Sequence, residues 1–378
     1  MQRQVMEHES RRTRIAALHG AYLVLTRIPR PAKLFVAQRE NGFCIDIMKV
    51  LTFNAWHGLD GRGTLSHGEL ETPAGRAGRL ERQVRKLAEC GPDLAFLQEV
   101  NPLAKRLPQL ARALSMKAVS QSDLCGIKIW GKGVPANLSS GLAILAKDEL
   151  RKLEGLRLSG SRWSFATSHF SFQVTETRYA LLAELNNSTM GRLLVVNTHL
   201  HHGLEPSPTL VEKLQRLFDD NVLSAAQRDE IVKVMNGARE RRNSEGRRLL
   251  ERIEKLAPAY DGVILAGDMN ADPESAIIEL FRSHQLVDIV PAGIHTWDKA
   301  ANAYIFQLSE SFVLTVPDFG IAPLKHILRT HDSRPTRLDY ILTSKELSAR
   351  VQSVSLFGHD ILPKESISDH FGICATLH

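Results

Sequence analysis

The chain has 378 residues, 43% hydrophobic and 24% charged, ordinary values for a globular protein with room for one large domain or two smaller ones. No apolar run approaches the ~18 residues that a membrane-spanning helix needs, and four scattered cysteines without a CxxC pair argue against a disulfide scaffold or a thiolate zinc site. The formal net charge of +6 sits largely at the start: residues 1–47 hold eight Lys/Arg against four Asp/Glu, and residues 48–378 hold 40 against 38. A body so nearly balanced is a weak electrostatic footprint for nucleic acid, although it leaves space for a local basic groove.

Residues 1–47 mix arginines with a short apolar stretch. Glu7 and Glu9 fall in the would-be basic region and no A-x-A site follows, so the segment reads as a loosely ordered N-terminal arm rather than a signal peptide. With reduced cysteines this favours a cytoplasmic location. The functional domain is expected to run from 48 to 378. Strand-like runs follow at 50–53, 94–97 and 142–145, and helical spacing at 77–88 and 103–114. Residues 165–174 and 179–185 read as strands paired with each other, followed by a strand at 193–197. Residues 208–257 carry helical runs rich in Glu, Lys and Arg, read as a solvated helical hairpin inserted at about 205–258. Strands at 263–266, 338–342 and 372–377 close the chain. This mixed order predicts an α/β fold in layers rather than a purely parallel sheet.

The informative pattern is where the strands stop. The stretch DGVILAGDMN ends an apolar run with Gly267, Asp268 and Asn270. Residues two apart on a strand point to one face, so Asp268 and Asn270 can serve one site. The same arrangement recurs: 50–53 ends at Asn54, 94–97 at Gln98 and Glu99, and 193–197 runs on to His199. Asp339 opens the run at 339–342, and Asp369 and His370 precede the last strand. Each alone reads as a turn, a cap or a satisfied core group. Six such positions at strand ends point to one cleft. Their side chains are oxygen donors and imidazoles without thiol, which suits Mg2+ or Mn2+ and the hydrolysis of a phosphate ester.

The segments FNAWHG, LQEV, SSGLAIL, VVNTHL, LAGDMN, RLDYIL and SDHFG, in this order, resemble the endonuclease/exonuclease/phosphatase superfamily over residues 48–378. The resemblance implies a four-layered α-β-β-α sandwich of two packed mixed sheets flanked by helices. It also implies roles. Glu99 would be the main Mg2+ ligand, with Asn54 beside it and Asp369 completing the metal side. Asp268 would orient or deprotonate the attacking water, and Asn270 would hold the phosphate. Asp339 would fix the tautomer of His370, an acid, base or phosphate contact. His199 would bind the phosphate or protonate the leaving group. Arg178, Trp56 and His57 are kept as candidate substrate contacts, although surface charge is the plainer reading of Arg178. His201 and His202 are expected to line the cleft mouth.

These motifs define a reaction class more tightly than a substrate. The expected activity is hydrolysis of a phosphate ester, with a phosphodiester of a lipid or small molecule favoured by the near-neutral body and by sphingomyelinase-like TWD and RLDYIL segments at 296–298 and 337–342. A nuclease acting on DNA or RNA is the alternative, and an inactive binding protein of the same fold is a further one. The helical insertion is left open as a lid, a partner surface or a peripheral membrane contact.

Overall fold

A computed structural model describes residues 47–58, 70–123, 127–129, 132–134, 136–137, 140–160, 165–166, 171–172, 177–203, 206–308 and 335–378. The expected N-terminal arm, apart from Ile47, lies outside the described residues. In chain order, β1 (Met48–Asn54) leads to α1 (Pro73–Cys90), β2 (Leu94–Val100), α2 (Leu103–Leu114) and β3 (Lys117–Ser122). The short strands β4 (Ile127–Ile129), β5 (Lys132–Val134) and β6 (Ala136–Asn137) precede β7 (Gly141–Ala146) and β8 (Glu149–Arg157). Then come β9 (Phe165–Ala166), β10 (Ser171–Phe172), β11 (Tyr179–Asn187), β12 (Gly191–His199), α3 (Pro208–Asp219) and α4 (Ala225–Leu256). The chain continues through β13 (Gly262–Asp268), α5 (Ala276–Ser283), β14 (Leu286–Asp288), β15 (Asp339–Ser344), α6 (Lys345–Ser348), β16 (Val351–Phe357) and β17 (Gly372–Leu377).

Two six-stranded sheets hold the fold. One runs β16-β17-β1-β2-β7-β3 and the other β14-β15-β13-β12-β11-β8. Both have the same plan: a parallel pair in the middle, β1 with β2 and β12 with β13, and antiparallel strands on either side. Both parallel pairs therefore end on neighbouring C-terminal edges.

Strand alternation explains the layers. Val50, Leu94, Phe96 and Ile144 of the first sheet meet Leu181, Val195, Ile264 and Ile341 of the second in a shared core. The opposite faces carry helices. Leu51, Phe53, Ala95 and Leu97 pack against Leu87 of α1 and Leu103, Leu107 and Leu110 of α2. Leu194, Val196, Val263 and Leu265 pack against Leu249 and Ile253 of α4 and Ile277 and Phe281 of α5. The result is a four-layered α-β-β-α sandwich. The helix at 77–88 is longer than its apolar spacing predicts because its ends are set by caps. Thr72 accepts from the Gly75 N–H with Pro73 in the first turn, and Gly91 closes it in the left-handed conformation.

Two expectations are corrected. Residues 179–187 pair with β8 on one side and β12 on the other, not with 165–174, whose described parts join β6 in a separate three-stranded sheet. Strand β8, ELRKLEGLR, shows no clean apolar–polar alternation because its inner side chains are only half-buried at a sheet edge. The helical hairpin is not simply solvated. The second half of α4 is the outer layer of the second sheet, with Arg242 and Glu245 fully buried. Only α3 and the first half of α4 stand apart, around a small core of Leu210, Leu214, Leu223, Ile231 and Met235.

Candidate active site

Along each central strand the inward-facing positions change character toward the C-terminal edge. In β12 they read Leu193, Val195, Asn197, His199; in β13, Ile264, Ala266, Asp268; in β1, Val50, Thr52, Asn54; in β2, Leu94, Phe96, Gln98. Apolar core thus grades into a polar layer. Just beneath the edge, Asn197 donates to Leu97 O at 2.9 Å and Ala143 O at 2.8 Å and accepts from Gln98 Nε2 at 2.7 Å, tying the sheets together. One residue on lies the site. His199, Asp268 and Asp339 are register partners across β12, β13 and β15.

The groups at this edge are in mutual contact. Asn54 Nδ2 donates to Glu99 Oε1 at 3.2 Å and to Asp268 Oδ2 at 3.0 Å, while Asn54 Oδ1 accepts from the Trp56 N–H at 3.0 Å. His57 N–H donates to Glu99 Oε2 at 2.8 Å. His199 Nε2 lies 3.6 Å from Asp268 Oδ2 and 3.8 Å from Glu99 Oε1. His370 Nδ1 bonds Asp339 Oδ2 at 2.8 Å, and its Nε2 lies 3.8 Å from Asp268. Ser368 Oγ donates to Asn54 O at 2.6 Å and contacts Asp369 Oδ1 at 3.2 Å, anchoring the Asp369–His370 turn to β1. Thr296, which opens the TWD segment, accepts the Asp339 N–H at 3.1 Å, and Trp297 bridges to His370. That segment braces the carboxylate–imidazole pair from behind.

Local backbone geometry aims these side chains. Glu99, Trp56 and Asn270 all adopt positive φ, at 55°, 53° and 50°, a conformation that non-glycine residues hold where surrounding contacts enforce it. Gly267 has φ of 146°, and a Cβ there would lie 1.9 Å from Thr198 O, so β12 and β13 can come together above Asp268 only around a glycine. Asn270 N–H then turns back to Asp268 Oδ1 at 2.8 Å, and its side chain donates to Leu200 O at 3.0 Å.

Electrostatics sort the groups. Burial raises the Glu99 carboxyl, but His57 beside it, the His57 N–H and the Asn54 amide outweigh burial and hold it well below the usual carboxylate range. Burial pushes Asp268 up to about 7, against the pull of His370. Burial also raises Asp369, partly offset by His370. For His370 burial is overcome by Asp339, Asp268 and Asp369, so the imidazole stays protonated well above its ordinary range. His199 goes the other way: burial and the nearby Arg178 keep it neutral. Its Nε2 faces the Asp268 and Glu99 carboxylates, which favours the N–H on that nitrogen.

Asn54, Glu99, His199, Asp268, Asn270, Asp339, Asp369 and His370 are all brought to one edge. Glu99, Asp369, Asn270 and His57 form its partly open side, and the others are buried. Three expected substrate contacts sit differently. Trp56 is buried beneath the Arg79 guanidinium, 4.8 Å from its ring, which makes it a support. Arg178 is not a surface charge: it is 1% exposed, with Nη2 2.9 Å from His202 Nδ1 and Nη1 3.8 Å from Asp123. His57 half-faces the opening. Residues without an expected role also matter here, above all Arg79, Gln83, Gln98, Asn197 and Ser368. A signal for two of them was present: Arg79 and Gln83 fall at i and i+4 before Leu87 on the buried stripe of α1.

Two donor sets are candidates for a metal. Glu99 and Asp369 offer carboxylate oxygens, in keeping with a hard divalent cation, while Asn54 lies beside them with its Oδ1 accepting from the Trp56 N–H and its Nδ2 turned to Glu99. Among the described residues, one atom each of Asp268, Asp339 and His370 also lie within 4.8 Å of one another. The second set fits less well, because a protonated His370 has no lone pair to give and its Nδ1 is already bound to Asp339.

Such a layout is that of a phosphoesterase fold. The chain belongs to the Endonuclease/Exonuclease/phosphatase family, whose model matches residues 51–370. Among solved structures it is similar to an endonuclease/exonuclease/phosphatase from Bacteroides vulgatus, at 15% identity and TM-score 0.52, covering 88% of this chain and 99% of that one. It is also similar to a functionally unknown conserved protein from Enterococcus faecalis V583, at 17% identity and TM-score 0.51, covering 87% and 98%. A humanized D. rerio TDP2 aligns at 18% identity and TM-score 0.49, covering 88% and 99%. A search of curated proteins finds no match. No helix among the described residues is long and apolar enough to cross a membrane.

Proposed function

We propose that this chain is a metal-dependent phosphodiesterase that hydrolyses a phosphodiester of a lipid or small molecule by in-line attack of water. One observation carries the reading: Asn54 holds Glu99 and Asp268 together, placing an ionised carboxylate at the opening beside a carboxylate whose pKa is about 7. A divalent cation on Glu99 and Asp369, with Asn54 orienting Glu99, would offset charge on the phosphate oxygens. Asp268 accepts the proton of the attacking water, a task suited to a base that titrates near neutrality. The Asn270 amide, which donates one N–H to Leu200 O, would hold a phosphate oxygen with its other N–H. His370, kept protonated by Asp339, supplies positive charge to the phosphate or a proton to the leaving oxygen. Neutral His199 donates a hydrogen bond through Nε2 and does not serve as the acid. The near-balanced charge of residues 48–378 supports a lipid or small-molecule diester over a polynucleotide.

The test is hydrolysis of bis-p-nitrophenyl phosphate against p-nitrophenyl phosphate, with Mg2+ and with EDTA. Metal-dependent turnover of the diester is expected. Turnover of the monoester alone would replace the diesterase reading with a phosphatase, and inactivity on both, with short oligonucleotides and phospholipid vesicles equally inert, would overturn hydrolysis.

A further inference from the structure

Glu99 depends on a backbone N–H, and that N–H is held from behind. We propose that Arg79, with its buried partner Glu71 and its helical neighbour Gln83, is the positioning device that aims the 55–57 backbone at Glu99 and Asn54. The proposal rests on the reading of Glu99 as a metal ligand.

The argument begins with peptide planarity. In a trans peptide the C=O and the following N–H lie in one plane and point in opposite directions. Arg79 Nη1 donates to Ala55 O at 3.1 Å and to Trp56 O at 3.2 Å. The Ala55 carbonyl shares its plane with the Trp56 N–H, which donates to Asn54 Oδ1 at 3.0 Å. The Trp56 carbonyl shares its plane with the His57 N–H, which donates to Glu99 Oε2 at 2.8 Å. One guanidinium nitrogen thus grips the rear of two successive peptide planes whose front edges hold the two site residues. Gln83 Nε2 adds a second grip on Ala55 O at 2.8 Å and also reaches Ile367 O at 2.7 Å, next to the Ser368–Asp369 turn.

The remaining donors fix the gripping group itself. Arg79 Nε and Nη2 bind Glu71 at 2.9 and 2.7 Å, and both side chains are almost fully buried. The guanidinium also lies over the Trp56 ring. Trp56 needs this hold, since its φ of 53° is costly for a residue with a Cβ. Removing one member of a buried pair is strongly destabilising, and an aliphatic pair would satisfy the helix without gripping any carbonyl. A lysine keeps the charge but lacks the planar fork, so it cannot serve Glu71 and two carbonyls at once.

The experiment compares wild type with Arg79→Lys by amide hydrogen exchange at Trp56 and His57, and by the Mn2+ concentration that half-saturates hydrolysis of bis-p-nitrophenyl phosphate. Arg79→Lys is expected to speed exchange of those two amides selectively and to raise the Mn2+ requirement roughly 10–100-fold, the usual effect of losing a partner that orients a ligand. Wild-type exchange at Trp56 and His57 in folded Arg79→Lys would overturn the proposal. If that variant does not fold, Gln83→Leu, which removes only the second grip, should give the same selective exchange to a smaller degree, and its absence would overturn the proposal equally. Absence of metal-dependent hydrolysis in the wild type would sink the phosphodiesterase reading alone, because amide exchange still decides the role of Arg79.

Discussion

Asn54 and Asp268 stand 214 residues apart in sequence, at the ends of the central strands of two different sheets, and are joined by a 3.0 Å hydrogen bond. The same amide reaches Glu99, so one side chain couples the carboxylate at the open side of the cleft to the buried one. Asn54→Ala should therefore cost more than a lost contact. It releases Glu99 and leaves Asp268 with one donor fewer. Turnover on the order of 10²-fold lower is expected with far-UV circular dichroism unchanged. A variant within threefold of wild type would remove Asn54 from the site.

Glu99→Gln tests the metal side. The amide is nearly isosteric but cannot be an anionic ligand. Its half-saturating Mg2+ should rise at least tenfold, and EDTA-treated wild type should mimic its low activity. Unchanged Mg2+ dependence would move the cation to another donor set.

The His370–Asp339 pair is tested by Asp339→Asn, which keeps shape and removes charge. The His370 imidazole should then titrate at lower pH, followed by NMR, and turnover should fall by roughly 10²–10⁴-fold, as expected for loss of a positioned proton donor. His370→Ala should abolish turnover while the protein stays folded, since His370 sits at the edge of the sheets. An active His370→Ala enzyme would place the chemistry elsewhere.

The pH dependence of stability follows from Asp268, raised from 3.8 to about 7 chiefly by burial. Between those values the folded, metal-free chain keeps a proton that the unfolded chain has released. Stability from this group is therefore full below about 4, declines as pH rises toward 7, and levels off above it. Thermal midpoints in EDTA from pH 4.5 to 8, taken as wild type minus Asp268→Asn, should decline across that window. A flat or rising difference would contradict the raised value.

Gly267→Ala probes the approach of β12 to β13. The added Cβ meets the Thr198 carbonyl, which is backbone and cannot swing aside. A loss of about 2 kcal/mol or more in urea unfolding is expected, together with lower activity because Asp268 must shift. Wild-type stability would mean that the strands separate easily there.

The strand-end positions were visible in the sequence because alternation has period two and the inward row of each strand changes from apolar to polar before it stops. Leu193, Val195, Asn197 and His199 show this in a single strand. Asp268 and Asn270 likewise share one stretch, and the order of seven short motifs leads to the family that the model match bears out. Edge strands were harder. Strand β8 and the partners of β11 depend on long-range pairing, which local patterning does not encode. Arg178 reads in the sequence as surface charge yet is buried, because burial of a charge is decided by what surrounds it, here Asp123 and His202.

The sequence by itself therefore determined the layered class, the kinds of donor at the strand ends and the reaction they suit. Those properties follow from residue type and spacing along one chain. Only the tertiary structure decided which imidazole is charged and which carboxylate titrates near 7, since burial and neighbouring charges set both. It also decided that an arginine and a glutamine on α1 stand behind the site. Their hydrogen bonds run to backbone carbonyls on another segment, and a carbonyl leaves no mark in the sequence to say which way it points.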